Sequence, residues 1–245
     1  MKQKEKSVCH PNAQTLSSDQ ERAFAAVASL FCSLTESQHQ LLRRCLQMSA
    51  YRKNEVIYEE GGHADNMLVL VHGKVKICKC GVGGRHQILR LVQPMELFGY
   101  RAFFAHEPYL ATAVAIEPST VVSVPLSVVS ELTSANAAFC LQLVEHLSLL
   151  LGQSGTRLVN LTQKHIRGRL AETLLLLIER YGMEKDGVTL CASLSRENIA
   201  SLSNMTTGNA IRTLSAFANE GLIEMVGKKI RISEVEELRK ISNVG

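Results

Sequence analysis

From Asn136 to about Lys164, positions on one helical stripe recur in alternating steps of four and three: Cys140, Val144, Leu147, Leu151, Ser154, Leu158 and Leu161. The spacing is an a/d seam of roughly three heptads and predicts one long helix. Leu141, Leu143, Leu149, Leu150 and Val159 widen the apolar surface beyond that seam. A helix so patterned has one stripe for a twin and another face for its own domain. The plainer alternative is a core helix of a helical bundle, but the segment before it is not helical in pattern.

That earlier segment, 49–125, carries short β-type runs: Val56–Tyr58, Met67–Val71, Val75–Cys78, Ile88–Val92 and Thr120–Val124. Gly61-Gly62, His72-Gly73, Gly81–Gly84 and Gln93-Pro94 punctuate them at spacings near ten residues. This predicts an antiparallel roll or barrel of seven or eight strands. Before it, two short helices fit between Asp19 and Met48, with Thr35 and Gln38 at capping-box spacing. Residues 1–18 are polar and Lys-rich and read as a loose tail. After the roll, a short helix near Ser127–Thr133 leads into the long one. Ile166–Tyr181 is amphipathic and stops at Gly182, and Val188–Cys191 reads as a short strand. The division expected is a tail 1–18, a sensor unit 19–134, a dimerisation helix 135–163 and a DNA-binding unit 164–245.

Composition changes the picture little. The chain of 245 residues is 46% hydrophobic and 20% charged, with a net charge of +4, which permits a nucleic-acid partner without requiring one. No uninterrupted apolar run reaches the ~18 residues of a membrane span. The basic start has no apolar stretch behind it, so no secretory leader is expected. Seven cysteines, an odd number without framework spacing, fit reduced thiols and a cytoplasmic protein.

The functional signal lies in Leu194–Ile223. Ser195 suits the N-cap of a short helix that turns Ile199, Ala200 and Leu202 inward. Ser203-Asn204-Met205 fits a tight turn, and Thr206 caps a second helix with Ala210, Ile211, Leu214 and Phe217 apolar. Small Ala200 permits the close approach that a helix-turn-helix requires. The second helix is expected to expose Thr206, Thr207, Asn209, Arg212 and Thr213. Arg212 suits a bidentate contact to guanine and Asn209 a contact to adenine, while Thr206 and the helix N-terminus suit a phosphate. Ser195 and Arg196 open the first helix beside them. A hairpin follows, with Gly227-Lys228 at its turn and Lys228 and Lys229 placed to touch the backbone as a wing.

With these motifs in hand, the chain resembles the CRP/FNR family of bacterial transcription regulators from about Leu46 to Ile232. The resemblance rests on Gly73 and Gly99 in the roll, the long helix, the run Arg167-Gly-Arg-Leu-Ala-Glu-Thr-Leu-Leu, and the reading helix ending Asn-Glu-Gly-Leu-Ile. It implies an α+β fold: an N-terminal antiparallel β-roll like a cyclic-nucleotide-binding domain, a long dimerisation helix, and a C-terminal winged helix-turn-helix. It implies a cytoplasmic homodimer on double-stranded DNA with a two-fold symmetric site, half-sites ~34 Å apart, and a contact with RNA polymerase. A signal at the roll would shift the DNA-binding units about a hinge near Leu161–Ile166. Members reading the common half-site begin the reading helix Ser-Arg-Glu-Thr. Here the matching residues are Thr206, Thr207, Gly208 and Asn209, so a different operator is expected.

The effector is read by exclusion. Cyclic-nucleotide members carry Glu after the roll glycine and Arg-Ser at the phosphate. Here Gly99 is followed by Tyr100 and the phosphate stretch reads Tyr109, Leu110, Ala111, Thr112, with Arg101 the only nearby cation. No cyclic nucleotide is expected. Cys9, Cys32 and Cys45 lie too far apart for an iron–sulfur cluster, and none is expected. An apolar pocket of Met95, Phe98, Gly99, Tyr100, Tyr109, Leu110, Leu147, Leu150, Leu151 and Ser154 suits haem b. Some family members bind haem and respond to nitric oxide or carbon monoxide. Axial candidates are His106, His146, Met95 and Met67, the plain alternative for each being a core Met or a surface His. A thiol-redox sensor using Cys78 and Cys80, or another small-molecule sensor without haem, is the alternative. From another class, a cupin-like enzyme would need grouped metal ligands that His63, His72, His86 and His106 do not provide by spacing.

Overall fold

The computed structural model describes residues 18–244. Residues 1–17 of the expected tail, Cys9 among them, fall outside that range, and Ser18, the last residue given to the tail, opens a helix instead. Two helices open the described chain, α1 (Ser18–Ser29) and α2 (Glu36–Cys45). Thr35 and Gln38 form the reciprocal capping box, each side chain taking a hydrogen bond from the other's backbone. Eight strands follow: β1 (Gln47–Tyr51), β2 (Val56–Tyr58), β3 (Asn66–His72), β4 (Val75–Cys80), β5 (His86–Val92), β6 (Leu97–Phe98), β7 (Thr112–Ala115) and β8 (Ser119–Pro125). A one-turn helix, α3 (Arg101–Phe104), sits between β6 and β7. The strands form two four-stranded antiparallel sheets, ordered β1-β8-β3-β6 and β2-β7-β4-β5. β1, β6 and β7 escape the sequence pattern. β6 has only two residues, β1 mixes polar positions on both faces, and β7 is built on Thr and Ala.

The apolar run in β3 has a simple cause: both of its faces are covered. Leu68 and Leu70 point between the sheets with Val75, Val92, Phe98, Ala113 and Val121. Met67 and Val69 point the other way, with Val122 and Val124, against Phe31, Leu42, Phe139 and Leu143 of the helices. Gly73 turns β3 into β4 at φ 95°, and a Cβ there would stand 2.3 Å from the Ser119 hydroxyl and 2.6 Å from the Pro118 carbonyl. Only glycine fits.

Then come α4 (Leu126–Ala135) and the long α5 (Ala137–Gln163), capped by Asn136, whose side chain accepts the Phe139 N–H at 3.1 Å. Lys164 and His165 are extended and break the chain into α6 (Ile166–Tyr181), where the hinge was expected. Beyond it lie α7 (Arg196–Leu202), α8 (Thr207–Asn219), the hairpin β9 (Ile223–Val226) and β10 (Lys229–Ile232), and α9 (Val235–Val244). Val188–Cys191 is not a strand. It makes only isolated bridges, Met183 to Leu190 and Thr189 to Arg231, because Asp186 folds the segment into a turn by accepting the Val188 and Thr189 N–H groups.

At one junction the roll and the winged-helix unit share a continuous core. The core of the winged-helix unit (Leu170, Leu174, Ile199, Leu202, Leu214, Phe217) continues into Cys78, Ile88, Leu91 and Ile116 of the roll. Polar contacts cross the same junction. Lys76 donates to Asn198 at 2.7 Å, and Ser201 links the Ile88 N–H to the His86 carbonyl. Among the described residues no single helix is long and apolar enough to cross a membrane.

Candidate nucleic-acid interface and effector cavity

α7 and α8 are positioned by their own caps and one shared core. Ser195 accepts the Asn198 N–H at 3.1 Å, and Thr206 accepts the Asn209 N–H at 3.2 Å. Ile199, Ala200 and Leu202 are buried against Ala210, Leu214 and Phe217. The turn between the helices closes on Asn204 at φ 50°, and buried Ser203 donates its hydroxyl toward Thr173 and the Ile199 carbonyl. Arg167 pins the far end of α8 with two bonds to Glu220, at 2.7 and 2.6 Å, and lies over the Phe217 ring.

The face left open holds Thr206, Thr207, Gly208 and Arg212, with Asn209 half-buried and accepting from the Arg212 guanidinium. That pairing holds two base-reading candidates together at the N-terminal turn of α8. Three expected members are placed otherwise. Thr213 is buried, its hydroxyl returned to the Asn209 carbonyl at 2.9 Å. Arg196 turns to the wing, donating to the Gly227 carbonyl at 3.3 Å. Lys229 is exposed but held by Glu184 at 2.7 Å, which raises its pKa above the ordinary lysine value, and Lys228 is exposed beside it at the tip. Ser195 is exposed but spends its hydroxyl on its own helix.

The residues of the heptad seam differ in how far one chain covers them. Cys140, Leu147 and Leu161 are half-buried against the chain's own body. Val144, Leu151 and Leu158 are 50%, 75% and 64% exposed, and Leu141, Ser148 and Gly155 share their bare stripe. Ser154 is exposed and returns its hydroxyl to the Leu150 carbonyl.

Between the roll, α5 and α6 lies a cavity of about 890 Å³. Phe98, Gly99, Tyr100, Tyr109, Leu110, Leu147, Leu150, Leu151 and Ser154 all line it, as expected from sequence; Met95 does not. Met95 instead occupies a left-handed turn at φ 68°, its N–H bound to the Leu70 carbonyl. The expected haem ligands are dispersed. Met67 is fully buried among the helices behind β3, and His106 is exposed in a left-handed turn at φ 55°. His146 hydrogen-bonds the Tyr100 hydroxyl through Nδ1, and burial first, then Arg90, lowers its pKa. The cavity lining carries no His, Met or Cys, and burial raises the pKa of each of its three phenols, Tyr58, Tyr100 and Tyr109 (Tyr109 to about 12). Protonated phenols are poor iron ligands, so the residues present do not fit haem. Cys78 is buried, which raises its pKa and disfavours the reactive thiolate, while Cys80 is exposed.

The sequence reading missed the cavity's charge. Arg101 is turned away to Glu107 at 3.0 Å, but Arg90, Arg157, Arg169 and Arg180 enter from β5, α5 and α6. These residues are far apart in sequence, and only the packing of α6 on the roll brings them together. Arg90 and Arg180 share Glu96 at 2.9 and 3.0 Å. In the stretch matched to the phosphate site, Tyr109 stacks on Tyr58 at 3.9 Å, and the Thr112 hydroxyl accepts the Glu60 N–H at 3.0 Å.

Comparison with known proteins agrees with this geometry. Residues 48–136 match the family described as "Cyclic nucleotide-binding domain", and 168–241 match "Crp-like helix-turn-helix domain". The chain is 27% identical over 216 residues to the "CRP-like cAMP-activated global transcriptional regulator" of Mycobacterium tuberculosis, covering 88% of this chain and 96% of that one. It is 27% identical over 205 residues to the "Nitrogen fixation regulation protein FixK" of Azorhizobium caulinodans, covering 80% and 79%. Its fold matches FixK2 of Bradyrhizobium japonicum with a TM-score of 0.73 at 23% identity, over 80% of this chain and 96% of that one. Relatives matched over most of their length regulate transcription, so the cupin-like enzyme alternative falls. The roll, the long helix and the winged helix-turn-helix, matched in this order, place the chain in the CRP/FNR family of DNA-binding transcription regulators.

Proposed function

We propose that two copies of this chain associate along the bare stripe of α5 and read a two-fold symmetric DNA site with the N-terminal turn of α8. An effector in the cavity then sets the pose of the DNA-binding units. The observation that carries this reading is the cavity's position. Its walls come from the roll, from α5 and from α6 and α7 of the DNA-binding unit, so an occupant touches every part that must move. Leu151 belongs both to the cavity wall and to the bare stripe, which joins occupancy to association in one residue. The long apolar stripe, left without a partner in a single chain, supports the dimer. A thiol switch at Cys78 has less support, because the sulfur is buried.

The test is selection of bound sequences from random duplex DNA by the full chain, followed by titration of the recovered site at several salt concentrations. A palindromic consensus is expected, with half-sites about one helical turn apart and affinity falling steeply with salt. Recovery of no consensus, with salt-insensitive binding, would overturn the DNA-reading role of α8. Contact with RNA polymerase belongs to the same reading and is checked by transcription from a promoter carrying the recovered site.

A further inference from the structure

We infer that the cavity takes an amphiphilic anion, with an apolar body against Phe98, Leu147 and Leu150 and its carboxylate or phosphate head against Arg157 and Arg169. This rests on the reading of the cavity as the effector site and adds the chemical class of its occupant.

The argument is one of uncompensated charge. Of the five arginines lining the cavity, Arg101, Arg90 and Arg180 already have carboxylate partners in Glu107 and Glu96. Arg157 and Arg169 have none within ion-pair distance among the described residues. Arg157 uses one nitrogen to bridge the Ile88 and Leu202 carbonyls, at 3.0 and 2.8 Å. Arg169 donates once, to the Leu161 carbonyl at 3.2 Å, and its buried Nε has no acceptor. Glu172 and Glu179 also line the cavity; Glu172 bonds Asn160 and Lys164, the latter at 3.2 Å, and acts on Arg157 only through space, and neither carboxylate pairs with Arg157 or Arg169 within ion-pair distance among the described residues. Two cations sheltered from water beside leucine side chains, with donors to spare, call for an anion. A guanidinium also suits a planar or tetrahedral oxyanion better than any neutral group. Phe98, Leu147, Leu150, Leu175 and Leu176 give the wall an apolar side, and Gln153, Ser154, Thr156 and Asn160 add polar groups along α5. The head would sit on α5 and α6, so its binding would tie the DNA-binding unit to the dimer helix.

The test is calorimetric titration of the full chain with decanoate, decyl phosphate, decanol and cyclic AMP. Decanoate or decyl phosphate is expected to bind at least about tenfold more tightly than decanol, the value of one charge-assisted contact. The tighter of the two names the head group. Arg169→Gln is expected to remove that advantage while leaving decanol binding unchanged. Arg157→Gln should do the same, but it also cuts the tie to Ile88 and Leu202, so Arg169→Gln, which loses one backbone bond, decides. Equal binding of decanoate, decyl phosphate and decanol, full retention of the advantage in Arg169→Gln, or cyclic AMP binding as tightly as the apolar anions would overturn the inference. So would failure of every probe to bind. The recovered DNA site separates the two claims. Specific DNA binding without probe binding sinks the ligand class alone. Probe binding without any specific DNA site sinks the regulator reading alone.

Discussion

The winged-helix unit and the effector cavity are built by opposite means. The DNA-reading face comes from thirty consecutive residues whose caps, turn and apolar spacing all act locally. The cavity is assembled from β-strands, α5, α6 and α7, with wall residues running from Tyr58 to Leu202. The first is a property of a segment and the second a property of packing. The difference teaches where function can be altered in isolation. Changes in α8 should move DNA recognition alone, whereas changes in the cavity should move ligand binding, association and domain pose together.

The largest effect is expected where the two regions meet, on the bare stripe of α5. Leu151→Lys combined with Leu158→Lys places four charges in the proposed symmetric interface and removes four leucines from it. At ~1.5–3 kcal/mol for each of the four buried leucines, dimer association should weaken by at least about 6 kcal/mol, more than about ten-thousandfold. Sedimentation should then find single chains, with helix content unchanged because both residues are exposed. A double variant that still sediments as a dimer would move the interface elsewhere.

Next is the clasp that holds the DNA-binding unit to the roll. Glu96 accepts from Arg90 and Arg180 at once, and the Glu96 and Arg180 side chains are only 26% and 16% exposed. Arg180→Ala should cost about 1.5–3 kcal/mol, as for a charged hydrogen bond lost from a sheltered site. Hydrogen exchange should rise in β5 and α7, the surfaces it holds together. If exchange rises only around position 180, the clasp is local and does not couple the units.

Arg212→Ala sharpens the other side of the comparison. It should cost about 1–3 kcal/mol on the preferred site and relax discrimination at one base position, with probe binding in the cavity untouched. A uniform loss across all site variants would make Arg212 a phosphate contact. The pairing of Arg212 with Asn209 makes Asn209→Ala the natural companion, since removing the amide frees the guanidinium to change its reading.

What was legible in the chain follows the same line. The boundaries of α6 match the sequence reading, those of α5 and α8 lie within a residue or two, and the hairpin turns at Gly227-Lys228 as read, because caps, glycines and 3.6-residue periodicity are local. Nine of ten expected cavity residues line the cavity, since they lie on the roll and on one face of α5. The arginines escaped because nothing near them in sequence says which cavity they enter. Arg157, alone among the small and apolar residues of Ser154–Val159, was the one local hint. Period and register do not say how far each seam position is covered by the chain's own body: Cys140, Leu147 and Leu161 are half-buried within one chain, while Val144, Leu151 and Leu158 are exposed. Arg196 and Lys229 were expected as DNA contacts by position; in the free chain they bond the Gly227 carbonyl and the Glu184 carboxylate, partners that sequence position did not show.

The smallest effect tests how self-contained the winged-helix unit is. Asp186 accepts from the Thr189 hydroxyl at 2.6 Å, the Thr189 N–H at 2.9 Å and the Val188 N–H at 3.1 Å. These bonds, the hydroxyl first, lower its pKa from the ordinary carboxylate value to about 2. A carboxyl depressed on folding contributes stability that is complete above its unfolded pKa, near ~4, and is lost as pH falls through about 2. Asp186→Asn has no such titration. The gap in unfolding temperature between the native chain and this variant should therefore be constant above about pH 5 and close as pH falls from about 4 toward 2. All three donors lie within three residues of Asp186, so the loss should stay in the turn before α7 and leave probe binding unchanged at neutral pH. A gap that persists unchanged to pH 2 would mean that the carboxylate's charge plays no part in holding the turn, and an altered probe affinity would mean that the winged helix does not stand apart from the cavity even in its outermost loop.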